Sequence, residues 1–159
     1  MTAIDITRRN VLLASGVALT VGLAGCTGDD DNGDGNGNGN GNGDSLEDHL
    51  ADANNYDGSF TDMTGEDEVT VTVTDADGNS YDPAAIEIDP GTTVVWEWVD
   101  DGHSVTHEPL GEQDEELFDS DIQNTGHEFD YTFDDAGDYA IFCIPHRAQG
   151  HLGGVRVVD

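Results

Sequence analysis

The run Cys143-Ile144-Pro145-His146-Arg147-Ala148-Gln149-Gly150-His151 places one thiol and two imidazoles in a single short stretch. A further imidazole, His103, follows Asp101-Gly102 upstream, where a strand end could bring it beside that stretch. A thiolate with two imidazoles is the donor set that suits copper, and a trigonal Cys-His-His plane with a weak axial ligand marks an electron-transfer copper centre. Zinc uses the same four groups, so donor type alone leaves the metal open. Each residue taken singly says less. A lone cysteine at an apolar strand end is more often a small buried hydrophobe, and a histidine three positions after a cysteine arises often by chance. The conjunction carries the reading: no partner for a disulfide, an upstream Gly-His, and a thiol at the mouth of the last hairpin.

Those groups need a scaffold that brings residue 103 to residue 143. From Val69 onward the hydrophobic period is two: Val69, Val71 and Val73 alternate with threonines, and Ile86 and Ile88 with Glu87 and Asp89. Val94, Trp96 and Trp98 alternate with Val95 and Glu97, so both tryptophans face one way and belong to the core. Further alternation at Val105 and His107, Phe129 to Phe133, Tyr139 to Cys143, and Val155 and Val157 brings the expected strands to about seven. Turn signals separate them at Asp77-Gly78-Asn79, Asp89-Pro90-Gly91, Asp101-Gly102 and Ala136-Gly137-Asp138. Short strands with frequent turns and no long helical period predict an all-β fold, a Greek-key β-sandwich. Ahead of it, Leu46, His49, Leu50 and Ala53 fall at helical spacing, predicting one or two turns lying on the domain with His49 at the surface.

The amino-terminal stretch has a different character. Arg8 and Arg9 precede the uncharged apolar run Val11 to Gly25, which closes at Leu23-Ala24-Gly25-Cys26. At 15 residues this run is short of the roughly 20 that a spanning helix needs, and it reads as a cleavable export signal over residues 1–25. The paired arginines resemble a twin-arginine signal, and Leu-Ala-Gly-Cys resembles a lipobox that would make Cys26 the site of lipid attachment. Residues 26–45 are almost wholly Gly, Asn and Asp, with nothing to bury, and read as a flexible tether spanning roughly 23 Å. The folded domain is expected over residues 46–159.

Thirty-five acidic residues against four arginines, with no lysine, give the 159-residue chain a formal charge of −31. A polyanion of this kind excludes nucleic acid as a partner. Self-repulsion of that size is largely screened at molar salt, where the Debye length falls to about 3 Å, so the composition suits concentrated brine. An acidic surface that recruits a cationic partner is the competing explanation, and it accounts for a patch better than for acid spread along the whole chain.

Three segments carry a family resemblance: Asp89-Pro90-Gly91-Thr92-Thr93-Val94-Val95-Trp96, Gly102-His103-Ser104-Val105 and Phe142-Cys143-Ile144-Pro145-His146. Together they resemble the halocyanin branch of the plastocyanin-like blue copper proteins, over roughly Tyr56 to Asp159. The resemblance implies a cupredoxin-like sandwich holding one copper ion through His103, Cys143 and His146. The family's weak axial methionine usually follows the second histidine by five positions, and this chain has His151 there. Met1 and Met63 do not replace it by register. Of the groups beside the metal, the resemblance gives Ser104 a backbone N–H aimed at the Cys143 sulfur, with Gly102 and Pro145 close by. His107 is expected beside the site or at the surface, and His127 as structural.

By that resemblance the protein would be no enzyme but an exported single-electron carrier, anchored by lipid to the outer face of the cell membrane. It would work as a monomer between a redox donor and acceptor, with the edge of His146 as its port and Pro145, Gly150 and Leu152 framing the docking surface. Copper storage or delivery is the alternative, and a metal-free adhesion sandwich is a further one.

Overall fold

A computed structural model describes residues 45–74 and 78–159. The expected export signal, Cys26 and the tether as far as residue 44 lie outside the described residues. Among the described residues there are nine strands: β1 (Thr61–Asp62), β2 (Glu68–Thr74), β3 (Ser80–Asp82), β4 (Ala85–Ile88), β5 (Thr92–Trp98), β6 (Thr106–Glu108), β7 (Glu128–Phe133), β8 (Gly137–Phe142) and β9 (Leu152–Val157). They form a five-stranded sheet ordered β1-β4-β9-β8-β6 and a four-stranded sheet ordered β3-β2-β5-β7. The two strands beyond the expected seven, β1 and β3, are edge strands of two and three residues, too short to show a period. Both sheets are mixed, because β2 runs parallel to β5 and β4 parallel to both β1 and β9.

The alternation seen in the sequence becomes the core. Val71 pairs with Trp96 and Val73 with Trp98 across β2 and β5, and all four are buried. Trp96, Phe118, Phe133 and Tyr139 pack ring against ring between the sheets. Each fully buried large apolar side chain contributes on the order of 2 kcal/mol, so the sandwich is a stiff support for the loops at its end.

One element covers the outer face of the five-stranded sheet. Helix α1 (Leu46–Leu50) starts at Ser45, whose hydroxyl accepts the Asp48 N–H and caps the first turn. Leu46 and Leu50 are wholly buried over β9, and a side chain at Gly154 would stand 2.7 Å from Leu46 Cδ1. A helix seated this way turns His49 inward, against the expectation of a surface residue. Its side chain is 6% exposed, its Nε2 lies 3.0 Å from the Ile141 carbonyl, and its Nδ1 lies 3.4 Å from Glu108 Oε2.

Candidate metal centre

Four side chains meet at one end of the sandwich. His103 lies just beyond β5, where its carbonyl accepts from the Trp98 indole at 2.9 Å and from the Gln123 amide at 2.7 Å. Cys143 follows β8 directly. His146 sits in the 3-10 helix Ile144–Gln149, which Gly150 ends with a φ of 83°, and His151 precedes β9. The left-handed backbone at Gly150 suits glycine, and an added Cβ would meet the Asp52 carbonyl at 2.7 Å. This loop is closed on itself by backbone bonds. The Cys143 N–H donates to the His151 carbonyl, the His146 N–H to the Cys143 carbonyl, and the His151 N–H to the His146 carbonyl.

Donor atoms of all four residues lie within 4.8 Å of one another. Cys143 Sγ is 3.8 Å from His103 Nδ1 and 3.6 Å from His146 Nδ1, and the two nitrogens are 3.1 Å apart. A triangle with those sides has its centre about 2 Å from each corner, matching metal–nitrogen bonds of about 2.0–2.1 Å and only a little inside a metal–thiolate bond of about 2.3 Å. Cys143, His103 and His151 are buried, whereas His146 is half-buried. The cluster therefore has one side toward solvent.

His151 is the unusual member. Its ring is 0% exposed, yet neither nitrogen has a hydrogen-bond partner of normal geometry, with only a weak backbone influence from Ser80. Burial, followed by the positive character of the His103 and His146 rings alongside, lowers its pKa to about 3. The ring is thus neutral at ordinary pH, with a lone pair available to a metal. An imidazole buried without partners costs free energy that a metal ion in the cluster would offset. Burial also pushes the Cys143 thiol up, and the Ser104 N–H, donating to the sulfur at 3.3 Å, pulls it partly back.

The neighbours expected from the sequence fall as follows. Ser104 also accepts the Ile144 N–H on its hydroxyl at 2.8 Å, so it braces both the sulfur and the loop that carries His146. Gly102 has a φ of 83° and donates its N–H to the Gln123 carbonyl at 2.9 Å. Pro145 lies in the first turn of the 3-10 helix and is exposed. Gly150 and Leu152 do not frame a docking surface: Gly150 is buried under Asp52 and Asn54, and Leu152 is drawn into β9. Ile144, Pro145 and Ala148 are the exposed apolar residues of this loop. His107 is buried away from the cluster and accepts the Leu117 N–H, while His127 packs edge-on to Trp98 and Met63 packs against the main core.

Sequence reasoning missed two residues that touch this site. Tyr81 packs its ring on His151, and Asn54 holds the carbonyls of the ligand loop. Tyr81 lies in a strand too short for a period, and Asn54 follows a helix of five residues, so neither had a local signal.

A thiol and three imidazoles converging at the end of a two-sheet sandwich define a mononuclear metal-binding protein whose donor set suits copper. Comparison with known proteins agrees with that class. The chain belongs to the copper binding proteins of the plastocyanin/azurin family, whose family model matches residues 67–158. It is 48% identical over 164 residues to a halocyanin of Natronomonas pharaonis, covering 96% of this chain and 98% of that protein. Among solved structures, a purple cupredoxin from Nitrosopumilus maritimus is 28% identical with a TM-score of 0.48, covering 57% of this chain and 99% of that one. A copper-containing nitrite reductase from Thermus scotoductus is 26% identical with a TM-score of 0.49, covering 58% of this chain and 22% of that one. One copper ion is the cofactor that the family and the cluster support.

Proposed function

We propose that the protein is a single-electron carrier that binds one copper ion through His103, Cys143 and His146, with His151 as a fourth, axial donor. The observation that carries this reading is the convergence of one sulfur and two Nδ1 atoms within 3.8 Å beside a buried, unpartnered imidazole. Bound copper would supply a one-electron Cu(I)/Cu(II) couple. The chain's part is to hold the donors still. Backbone bonds at His103 and around the Cys143–His151 loop restrain them, and a site that moves little has a small reorganisation cost. Burial keeps water from the thiolate. Half-buried His146 is the way in and out for the electron, and exposed Ile144 and Pro145 supply a small apolar contact for weak, transient docking.

This reading makes the protein a carrier and no enzyme. Residues 1–25 are its export signal, residues 26–45 its tether and residues 46–159 its copper domain. Lipid on Cys26 holds the monomer at the outer face of the cell membrane, between a donor and an acceptor protein. Mass spectrometry of the native amino terminus tests the anchor: a lipidated chain beginning at Cys26 is expected, and a chain retaining residues 1–25 contradicts it. The net charge of −31 suits concentrated salt, and a melting temperature that did not rise with salt would oppose that part.

The buried fourth donor gives the alternative, copper storage or delivery, its one specific support, because an added imidazole tightens binding. Voltammetry of the copper-loaded domain separates the two. A reversible one-electron wave is expected of a carrier, and an irreversible response with loss of metal on reduction would favour storage.

A further inference from the structure

His151 presents a physical puzzle that leads to another residue. A metal-binding histidine almost always donates its second ring N–H to an oxygen, which fixes the plane of the ring. For His151 no hydrogen bond of normal geometry does this, and the Ser80 backbone adds only a weak influence, so packing carries most of the orientation. The ring lying closest to it is Tyr81, with centroids 4.4 Å apart and planes tilted by 54°. Tyr81 comes from β3, in the opposite sheet, and is 1% exposed. Room for it is made by Gly153, where an added Cβ would stand 2.7 Å from Tyr81 Cδ2. Its backbone carbonyl accepts from the Asn55 side chain at 3.1 Å.

The same side chain reaches a second part of the site. Its hydroxyl donates to the Ser104 carbonyl at 2.7 Å, and the Ser104 N–H donates to Cys143 Sγ at 3.3 Å. One buried phenol thus restrains both the imidazole beside the thiol and the residue that hydrogen-bonds the thiol. We infer that Tyr81 is a positioning residue of the copper centre, setting the orientation of His151 through its ring and the Ser104–Cys143 contact through its hydroxyl. For the ring arm, the inference rests on the reading of His151 as a donor. The hydroxyl arm stands without it.

The two arms give different expectations. Hydrogen bonds to the cysteine sulfur are a tuning lever of such centres, and they favour the more electron-rich reduced state. Tyr81→Phe keeps the ring and removes only the hydroxyl, so the Ser104 contact should loosen and the reduction potential should fall. Tyr81→Leu removes the ring as well, freeing His151, so its thiolate-to-copper spectrum should move toward that of His151→Met.

The test compares wild type, Tyr81→Phe, Tyr81→Leu and His151→Met, each checked for folding by circular dichroism. Readouts are the visible spectrum and potential with copper, and the Ser104 carbonyl carbon-13 shift without it. Expected are a moved Ser104 resonance and lower potential in Tyr81→Phe, and a His151→Met-like spectrum in Tyr81→Leu. If both Tyr81 variants fold and keep the wild-type spectrum and potential while His151→Met changes them, the inference is overturned. If His151→Met itself matches wild type, the axial reading falls instead, and Tyr81→Phe alone decides: an unmoved Ser104 resonance and potential overturn the role of Tyr81 as well. Should Tyr81→Leu fail to fold, Tyr81→Phe again decides.

Discussion

The Asn54 backbone N–H donates to the Gly150 carbonyl at 2.8 Å, tying a segment that precedes the family match to the loop between His146 and His151. The Asn54 carboxamide adds to this joint. It donates to the Gln149 carbonyl at 2.7 Å, to the Asn79 carbonyl at 3.0 Å and to the Gly78 carbonyl. Three oxygens thus share an amide with two hydrogens, and the ligand loop is held from outside as well as by its own backbone bonds.

Asn54→Ala keeps the backbone bond and removes the carboxamide. Loss of these contacts should cost about 1–3 kcal/mol of folding free energy, measured by denaturant unfolding of the copper-free protein at fixed high salt. Copper should also pass faster to a competing chelator. Unchanged stability and release would show that the brace contributes nothing.

Ser104→Ala separates the two roles of that residue. Its N–H still donates to Cys143 Sγ, but the Ile144 N–H loses the hydroxyl that accepts it. A part-buried amide without its partner costs on the order of 1–2 kcal/mol. The copper-free variant should melt lower while the copper form keeps its thiolate colour. A variant as stable as wild type would mean that water replaces the hydroxyl.

The strand pattern was legible because burial on one face writes a period of two. Val69 to Val73 and Val94 to Trp98 appear where that alternation places them. The candidate ligands were legible because a Cys-x-x-His loop after a strand, with a Gly-His upstream, matches a family. What could not be read depends on contacts between distant segments. The inward turn of His49 follows from Leu46 and Leu50 packing on Gly154, and the burial of Gly150 follows from Asp52 and Asn54 lying over it. Parallel pairing of β2 with β5 and of β4 with β9 leaves no mark on alternation, which is the same for either direction.

His49 should make stability depend on pH. Burial lowers its pKa below the ordinary value of about 6.5, opposed by the Ile141 carbonyl, the Glu108 carboxylate and the Gly153 backbone, and assisted by Arg147. Above that value the ring is neutral in both states. Below it the unfolded chain takes up a proton and the folded chain resists, so stability falls as pH drops. A single group of this kind adds at most about 1.4 kcal/mol per pH unit. Denaturant unfolding of copper-free wild type and His49→Gln between pH 7.5 and 5 checks this, with wild type expected to lose more on acidification. Parallel curves would show that His49 does not titrate differently on folding.

If Cys143 and its histidine neighbours hold one copper ion, a Cu(II) titration of the folded domain in high salt, followed by visible absorption, reads that binding at the thiolate itself. An intense thiolate-to-copper band should grow and saturate at about one equivalent per chain, and Cys143→Ser should abolish it, as the donor set requires. A band that survived in Cys143→Ser, or a folded wild type that took up no copper, would contradict the account.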